Sequence, residues 1–478
     1  RFLSYALALL AFRYQAKVTG NLTLVYAIIP FLNVLFTYGL ETSYFRYTQL
    51  KDKQKVYNTL TVSILVSTTA FTALLLLLRE QVISGFRLTD NPQFVTWMIW
   101  ILFFDTLAVL PFAKLREERR PKKFAFIKIV NIVVNVAIVV FFTIICENLH
   151  RKNPNSFLLK WYDPNLKVGY FIIANLVASI VTLLMLYKQF FTFRWKFDKA
   201  LWKEVMNYSY PLIIVGFGGM INEMLSRVMY ERLSGLPEAT AKHNLGVFGA
   251  NYKLAVLITI FIQIFRMAAE PFFFKKAGDA DARKTYARVM KFFVIACSIM
   301  FLFVVLFLDA WKYLIAFKHK EYTEGIGVVP ILALGYVCLG VYYNLSVWYK
   351  LTNKNMAGAA ITLIGVAITV ALNIILIPIM GYHGAAWTEL ACYGSMMVIG
   401  YRWGQKHYPI PYAWKKLTAY VVICLLLFGL HELVAWVVPG HLVYFTTGFL
   451  LLALFFWFVL QVERKEFQKI PYINRLVK

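Results

Sequence analysis

Fourteen long apolar runs, and the charges between them, constrain this chain more than any motif does. The runs fall at residues 1–14, 22–46, 57–78, 93–113, 124–145, 168–191, 208–230, 245–274, 289–308, 326–349, 356–380, 382–401, 417–438 and 442–462. Most reach about 20 residues, the length at which an α-helix crosses the hydrocarbon core of a bilayer. None alternates apolar and polar residues with a period of two, so they read as helices and not as barrel strands. Composition agrees: 60% of residues are hydrophobic and 15% charged, against about 45–50% and about 25% in soluble domains. The expected fold is all-α, a polytopic membrane helix bundle of about fourteen spans with no soluble domain between them. The first run, Phe2–Phe12, is short and reads as the second half of a helix, with nothing resembling a cleavable signal peptide. The five cysteines (Cys146, Cys297, Cys338, Cys392 and Cys424) lie in or beside apolar runs without metal-ligand spacing, and read as small buried hydrophobes.

The chain holds 50 Lys+Arg against 24 Asp+Glu, a net charge of +26. In a soluble protein that excess would point to nucleic acid. Here the basic residues sit between apolar runs, where they set membrane orientation, and no nucleic-acid partner is expected. With the N-terminal side placed in the cytoplasm, thirty-one basic residues fall in cytoplasmic segments and twelve on the opposite side. The bias alternates segment by segment and does not invert, so both termini are expected on the cytoplasmic face, in a bacterial inner membrane. The remaining seven basic residues lie within or beside spans: Arg1, Arg13, Arg46, Lys128, Arg227, Lys253 and Arg266.

Two spans match without a gap. Asn21 to Phe45 aligns with Ala250 to Phe274, so that Gly20 meets Gly249, Glu41 meets Glu270 and Phe45 meets Phe274. The alternative is a resemblance of composition between two apolar helices. An intramembrane Glu is rare, however, and here one recurs at the same place. A repeat of six helices runs in the same direction in both halves, giving a parallel repeat with a site expected near the midplane at its interface. The expected organisation is an N-terminal six-helix lobe over 1–207 whose start is truncated, a second six-helix lobe over 208–410, and two appended helices with a basic tail over 411–478.

Each charge inside a bilayer costs at least about 2.5–3.5 kcal/mol unless it is paired or faces a cavity. The acids in spans are Glu41, Asp105, Glu223, Glu270 and Glu389. Glu223 with Arg227, and Arg266 with Glu270, are four residues apart and share a helix face. Mutual neutralisation is one reading of those two pairs, and charges facing a cavity the other. Neutralisation leaves Arg1, Arg13, Arg46, Lys128 and Lys253 without an acid three or four residues away, and a water-filled cavity with surplus positive charge follows. Such a cavity binds anions, and the planar guanidinium fork matches phosphate. Glu41 or Asp105, if unpaired, has the chemistry to bind H+ or Na+ and couple its gradient; for Asp105 the alternative is a carboxylate capped by a neighbouring polar side chain. No other cofactor is expected. Pro30, Pro111, Pro211, Pro271, Pro330 and Pro378, with Gly216, Gly218 and Gly219, suit kinked, closely packed helices, although membrane helices commonly carry such residues.

No GxxxxGK[ST] occurs, so no P-loop drives a primary pump, and no HExxH occurs. Asp279-Ala-Asp281 resembles a metal-binding DxD but lies in a short basic loop, where two solvated carboxylates are the simpler reading. The largest outer loop, 146–167, is small for a glycan polymerase or ligase, and no enzymatic activity is expected.

Four segments carry a resemblance: Arg1-Phe-Leu-Ser-Tyr5, Thr37-Tyr-Gly-Leu-Glu-Thr-Ser-Tyr-Phe-Arg46, Met220-Ile-Asn-Glu-Met-Leu-Ser-Arg227 and Phe265-Arg-Met-Ala-Ala-Glu-Pro-Phe-Phe-Phe274. The chain resembles the polysaccharide transporters (Wzx-like oligosaccharide flippases and polysaccharide biosynthesis proteins) of the multidrug/oligosaccharidyl-lipid/polysaccharide exporter superfamily. The resemblance covers nearly the whole chain and looks closest to Bacteroidetes members. It implies two six-helix lobes, two extra helices, and transfer of a polyprenyl-diphosphate-linked oligosaccharide to the outer leaflet by alternating access. The product would be a surface glycan such as the O-antigen of lipopolysaccharide. Membrane lipids, a glycan polymerase and transferases are the implied partners. The resemblance suggests Arg1, Arg46, Arg227 and Arg266 as diphosphate contacts, and Glu41, Glu223 and Glu270 for pairing or ion coupling. Many relatives carry Asp where Ser226 stands, which puts a cation site there in doubt.

Three other functions share parts of this pattern. A lipid II flippase handles the same anchor and diphosphate. A cation-coupled multidrug extruder would want an acidic, aromatic cavity, against which the cationic excess argues. A membrane scaffold for glycan assembly would use the charges for helix packing alone.

Overall fold

Apolar runs of this length close their backbone hydrogen bonds internally, because lipid offers none. The structure, a computed structural model, describes residues 10–316, 319–352 and 354–468. Arg1, Lys318, Lys469, Arg475 and Lys478 lie outside the described residues, as do the side chains of Pro211, Glu270, Pro271, Phe274 and Lys275. The long helices are α1 (Ala16–Thr37), α2 (Leu40–Leu50), α3 (Lys53–Leu77), α4 (Gln93–Glu117), α5 (Pro121–Val140), α6 (Gly169–Met185) and α7 (Lys199–Leu233). They continue as α8 (Glu238–Lys276), α9 (Ala282–Val305), α10 (Val328–Leu345), α11 (Asn355–Met380), α12 (Tyr382–His407), α13 (Trp414–Val437) and α14 (His441–Val462).

Among the described residues every expected span after the first coincides with a helix, and there is no strand. Eleven helical segments are long and apolar enough to cross a membrane. The helix α6, at 17 residues, is shorter, and the polar α12 is not among the eleven. The chain is an all-helical, multi-pass membrane bundle.

Two compact units divide it. One comprises Arg1–Gly249 with Asn373–Gly381, the other Ala250–Leu372 with Tyr382–Lys478. In the first, α1 packs against α4 and α7, while α6 packs against both α4 and α5. In the second, α10 packs against α9 and α12, and the pair α13–α14 packs on α9.

Helix ends follow local chemistry. Asp52 and Asp198 cap α3 and α7 by accepting from the backbone N–H of Lys55 and Leu201. Pro121 opens α5 at its first turn. A π-helical turn, Phe141–Cys146, carries the chain from α5 into Glu147–Lys152, so the connection to α6 is shorter than the hydropathy suggests.

The second expected span is not one helix. It breaks at Tyr38 and Gly39, with φ of 31° and 73°, and restarts as α2. Gly39 takes the left-handed conformation without a Cβ clash. The Tyr38 hydroxyl lies 2.8 Å from Ser63 Oγ, tying the break to α3. The aligned segment in α8 has Ala268 in place of Gly39 and runs on unbroken, as the Cβ penalty on left-handed backbone requires. Cys146, Cys297, Cys392 and Cys424 are buried, Cys338 is half-buried, and all five are free thiols.

Candidate functional site

In the first unit the break at Gly39 puts Glu41 in the opening turn of α2, where a carboxylate is favoured by the helix dipole. Glu41 forms an ion pair with Arg116. Hydropathy ends that span near residue 113, which leaves Arg116 outside it. The helix α4 continues to Glu117 and delivers the guanidinium to Glu41. Glu41 is therefore not an unpaired coupling acid.

Aromatic faces hold the neighbouring cations. The Arg116 guanidinium lies 4.8 Å from the Phe45 ring centre. That of Arg46 lies 4.2 Å above Tyr208. Lys128 sits 4.3 Å over Phe112, and Lys114 4.2 Å over Tyr57. Lys128, which has no acid nearby on its own helix, faces Asp105 on α4. Asp105 lies against Ser179 as well. So α4 supplies acids or bases to both halves of one cluster: Glu41–Arg116 and Asp105–Lys128.

The second unit repeats the motif of a ring-held arginine. Arg266 is exposed, with its guanidinium 4.7 Å above Tyr343. Ile262, Phe265, Phe293 and Val347 surround the same spot. Lys253 is half-buried on the same helix. A separate apolar groove of about 280 Å³ lies among α9, α10, α12 and α13, lined by Val294, Val337, Tyr401, Tyr412 and Trp414.

The remaining expected residues fall elsewhere. Arg227 on α7 is interior, 6% exposed, with Nη1 2.8 Å from Met224 Sδ, beside buried Ser226 and half-buried Glu223. Arg13 ends a short helical turn near Tyr14, which lies against Glu147 and Tyr162. Glu389 is buried in α12. Asp279 and Asp281 each pair with a lysine, Lys276 and Lys284.

Sequence reasoning missed two interior charge clusters. Lys242 precedes the apolar run that begins at residue 245, but α8 starts early enough to include it. Its side chain is 1% exposed and its ammonium meets Asp90 at 3.0 Å and Glu238 at 2.6 Å. The four-residue spacing of Glu238 and Lys242 was a visible signal. Glu463, beyond α14, accepts from Lys291 at 2.7 Å, Lys416 at 2.6 Å and the Tyr420 hydroxyl at 2.7 Å. Nothing local in the sequence marks that site.

The architecture defines a class by fold, a multi-pass helical membrane bundle shared with solved transporters and flippases. The chain is similar over 96% of its length, and 97% of the other's, to the lipid II flippase MurJ in an inward closed conformation, with TM-score 0.68 and 13% identity. It is similar over 87% of its length, and 94% of the other's, to an inward-facing multidrug resistance MATE family transporter of the MOP superfamily, with TM-score 0.67 and 13% identity. A third likeness is to a MOP superfamily transporter from Pyrococcus furiosus Vc1 (DSM3638), described by the reverse polarity of its binding pocket. It covers 87% of this chain and 93% of the other, with TM-score 0.59 and 12% identity. No curated protein matches the sequence. Residues 3–276, more than half of the chain, match the family described as polysaccharide biosynthesis protein. The chain belongs to that family.

Proposed function

We propose that the protein is a secondary-active flippase that carries a polyprenyl-diphosphate-linked oligosaccharide from the cytoplasmic to the outer leaflet for surface polysaccharide assembly. The observation that carries this reading is the exposed arginine held on an aromatic face in each unit, Arg46 on Tyr208 and Arg266 on Tyr343. A ring beneath a guanidinium stabilises its charge through the π-face, and the planar guanidinium fork matches a bidentate anion. Diphosphate offers that anion; a cationic drug does not. Arg46 and Arg266 supply the diphosphate contacts of their own units, Arg116 on Phe45 is a further cation of the first unit, and interior Arg227 supports α7. The apolar groove beside α13 has the character an isoprenoid chain wants. Transport proceeds by alternating access of two six-helix halves, 1–207 and 208–410, in an inner membrane with both termini cytoplasmic. Asp105, set against Lys128 and Ser179, is the acid we assign to coupling to H+ or Na+.

Lipid II is the second substrate reading, since the likeness to MurJ extends over nearly the whole chain and takes in the two last helices. Host genetics separates the two: loss of a sole lipid II flippase is lethal, whereas loss of a surface-glycan flippase is tolerated.

Native mass spectrometry of the purified protein tests the ligand class. A polyprenyl-diphosphate sugar should be retained over the polyprenyl monophosphate by about tenfold, the difference of one charge-assisted hydrogen-bonding group. That preference should vanish in Arg46→Ala/Arg266→Ala. Retention of a cationic dye alone would replace this reading with a drug extruder.

A further inference from the structure

The segment between α6 and α7 alternates aromatic and basic residues: Tyr187, Lys188, Phe190, Phe191, Phe193, Arg194, Trp195, Lys196, Phe197. Its aromatic side chains are not folded away. Phe191 is 74% and Trp195 73% exposed, with Tyr187 and Phe197 also exposed. Single exposed apolar residues mean little, but a cluster of large rings next to a membrane span is the composition of an interfacial belt.

Arg194, Lys196 and Phe197 of this segment line an open polar pocket of about 670 Å³ together with Asp52, Lys55, Asp198 and Lys199. Its two carboxylates are already engaged. Asp52 accepts from the Lys55 backbone N–H at 2.7 Å, and Asp198 pairs with the Lys55 ammonium. Arg194, Lys196 and Lys199 have no ion-pair partner among the described residues, and with Lys55 they outnumber the two carboxylates of the pocket, leaving an excess of two positive charges. The frame is fixed by α3. Buried Asn58 accepts from the Arg194 backbone N–H at 2.8 Å and from Gln54 Nε2 at 2.9 Å, and Thr59 Oγ1 accepts from the Asp198 backbone N–H at 3.3 Å.

We propose that this pocket binds the phosphate headgroup of an anionic phospholipid from the adjacent leaflet, with Phe191 and Trp195 set among its acyl chains. The juxtaposition supports a lipid and not a free anion. A soluble phosphate would use the three cations but give the exposed rings nothing to bury against. A lipid satisfies both, and basic pockets beside membrane spans recognise anionic headgroups. The proposal is independent of the transported substrate.

The test is native mass spectrometry of the full chain in detergent with phosphatidylglycerol, phosphatidylcholine or inorganic phosphate added. Phosphatidylglycerol should be retained about tenfold over phosphatidylcholine. Arg194→Glu/Lys196→Glu should remove that preference, and the charge-matched Lys152→Glu/Lys160→Glu should keep it. Trp195→Ala should weaken phosphatidylglycerol binding while leaving the weak binding of inorganic phosphate unchanged. Both loop positions are exposed, so melting temperature should hold in every variant. Equal retention of the two lipids, equal loss in the control pair, or inorganic phosphate binding as tightly as phosphatidylglycerol would each overturn the proposal.

Discussion

At the scale of single residues, the charges in this chain are managed by partners far away in sequence. Glu41 and Arg116 belong to different helices, and each keeps a good part of its side chain in contact with solvent. An ion pair so exposed contributes at most about 1 kcal/mol. Glu41→Gln should therefore move the melting temperature little. If Arg116 helps bind the diphosphate, the same substitution frees the guanidinium, and ligand retention should rise or hold. Arg116→Ala should lower it. Thermal melting and native mass spectrometry on the two variants read both effects. These pairings were not legible in the sequence. Hydropathy measures where the lipid core ends, not where the helix ends. It therefore stopped one span before Arg116 and began another after Lys242, although both residues are helical.

At the scale of elements, two contacts decide how helices seat. The first is a close crossing of α1 and the start of α8. A Cβ added at Gly20 would collide with the Lys242 backbone, one at Gly246 with the Ala16 carbonyl oxygen, and one at Gly249 with the Thr23 side chain. Small residues let backbones approach in this way in membranes. The alignment that pairs Gly20 with Gly249 thus joins two glycines that both lie in this crossing. Gly246→Leu should destabilise by about 1–3 kcal/mol through overpacking, measured as a lowered denaturation midpoint. Gly219→Leu, where an added Cβ meets nothing within 4 Å, should cost far less.

The second contact is Glu463, which fastens α13 and α14 to α9 through Lys291 and Lys416. Burial opposes its charge, but the hydrogen bonds from Lys291, Lys416 and Tyr420 outweigh that and hold its carboxyl below the usual glutamate range. Such a group contributes its stability in full above the unfolded value, near pH 4.5, and loses it as pH falls through the lower folded value. Wild-type melting temperature should therefore drop more steeply below about pH 4.5 than that of Glu463→Gln. At neutral pH, Glu463→Ala should cost about 2–3 kcal/mol. That is below the about 3–5 kcal/mol of a fully buried pair because Lys416 reaches solvent.

At the scale of the whole molecule, the fold was readable because bilayer thickness imposes helix length on any chain that crosses it. Twenty-residue apolar runs leave no competing structure, and helices lie where those runs lie from α1 to α14. Breaks within a run were hidden, since Tyr38 and Gly39 interrupt α1 and α2 without interrupting hydropathy. The candidate site was legible only in its parts list. Arg46, Lys128 and Arg266 were visible as charges in the wrong solvent. Their aromatic supports, Tyr208, Phe112 and Tyr343, could not be told from core residues until the helices were packed. Arg227 looked equivalent to them and is instead interior. The proposed function gives these parts a common purpose within the polysaccharide biosynthesis protein family.

That purpose is tested most directly by translocation in proteoliposomes. A fluorescent polyprenyl-diphosphate oligosaccharide is placed in one leaflet, and a membrane-impermeant quencher reads its arrival in the other. The account predicts protein-dependent translocation that Arg46→Ala/Arg266→Ala abolishes while the bundle stays folded. Unchanged translocation in that variant, or transport of a cationic dye with none of the diphosphate lipid, would contradict it.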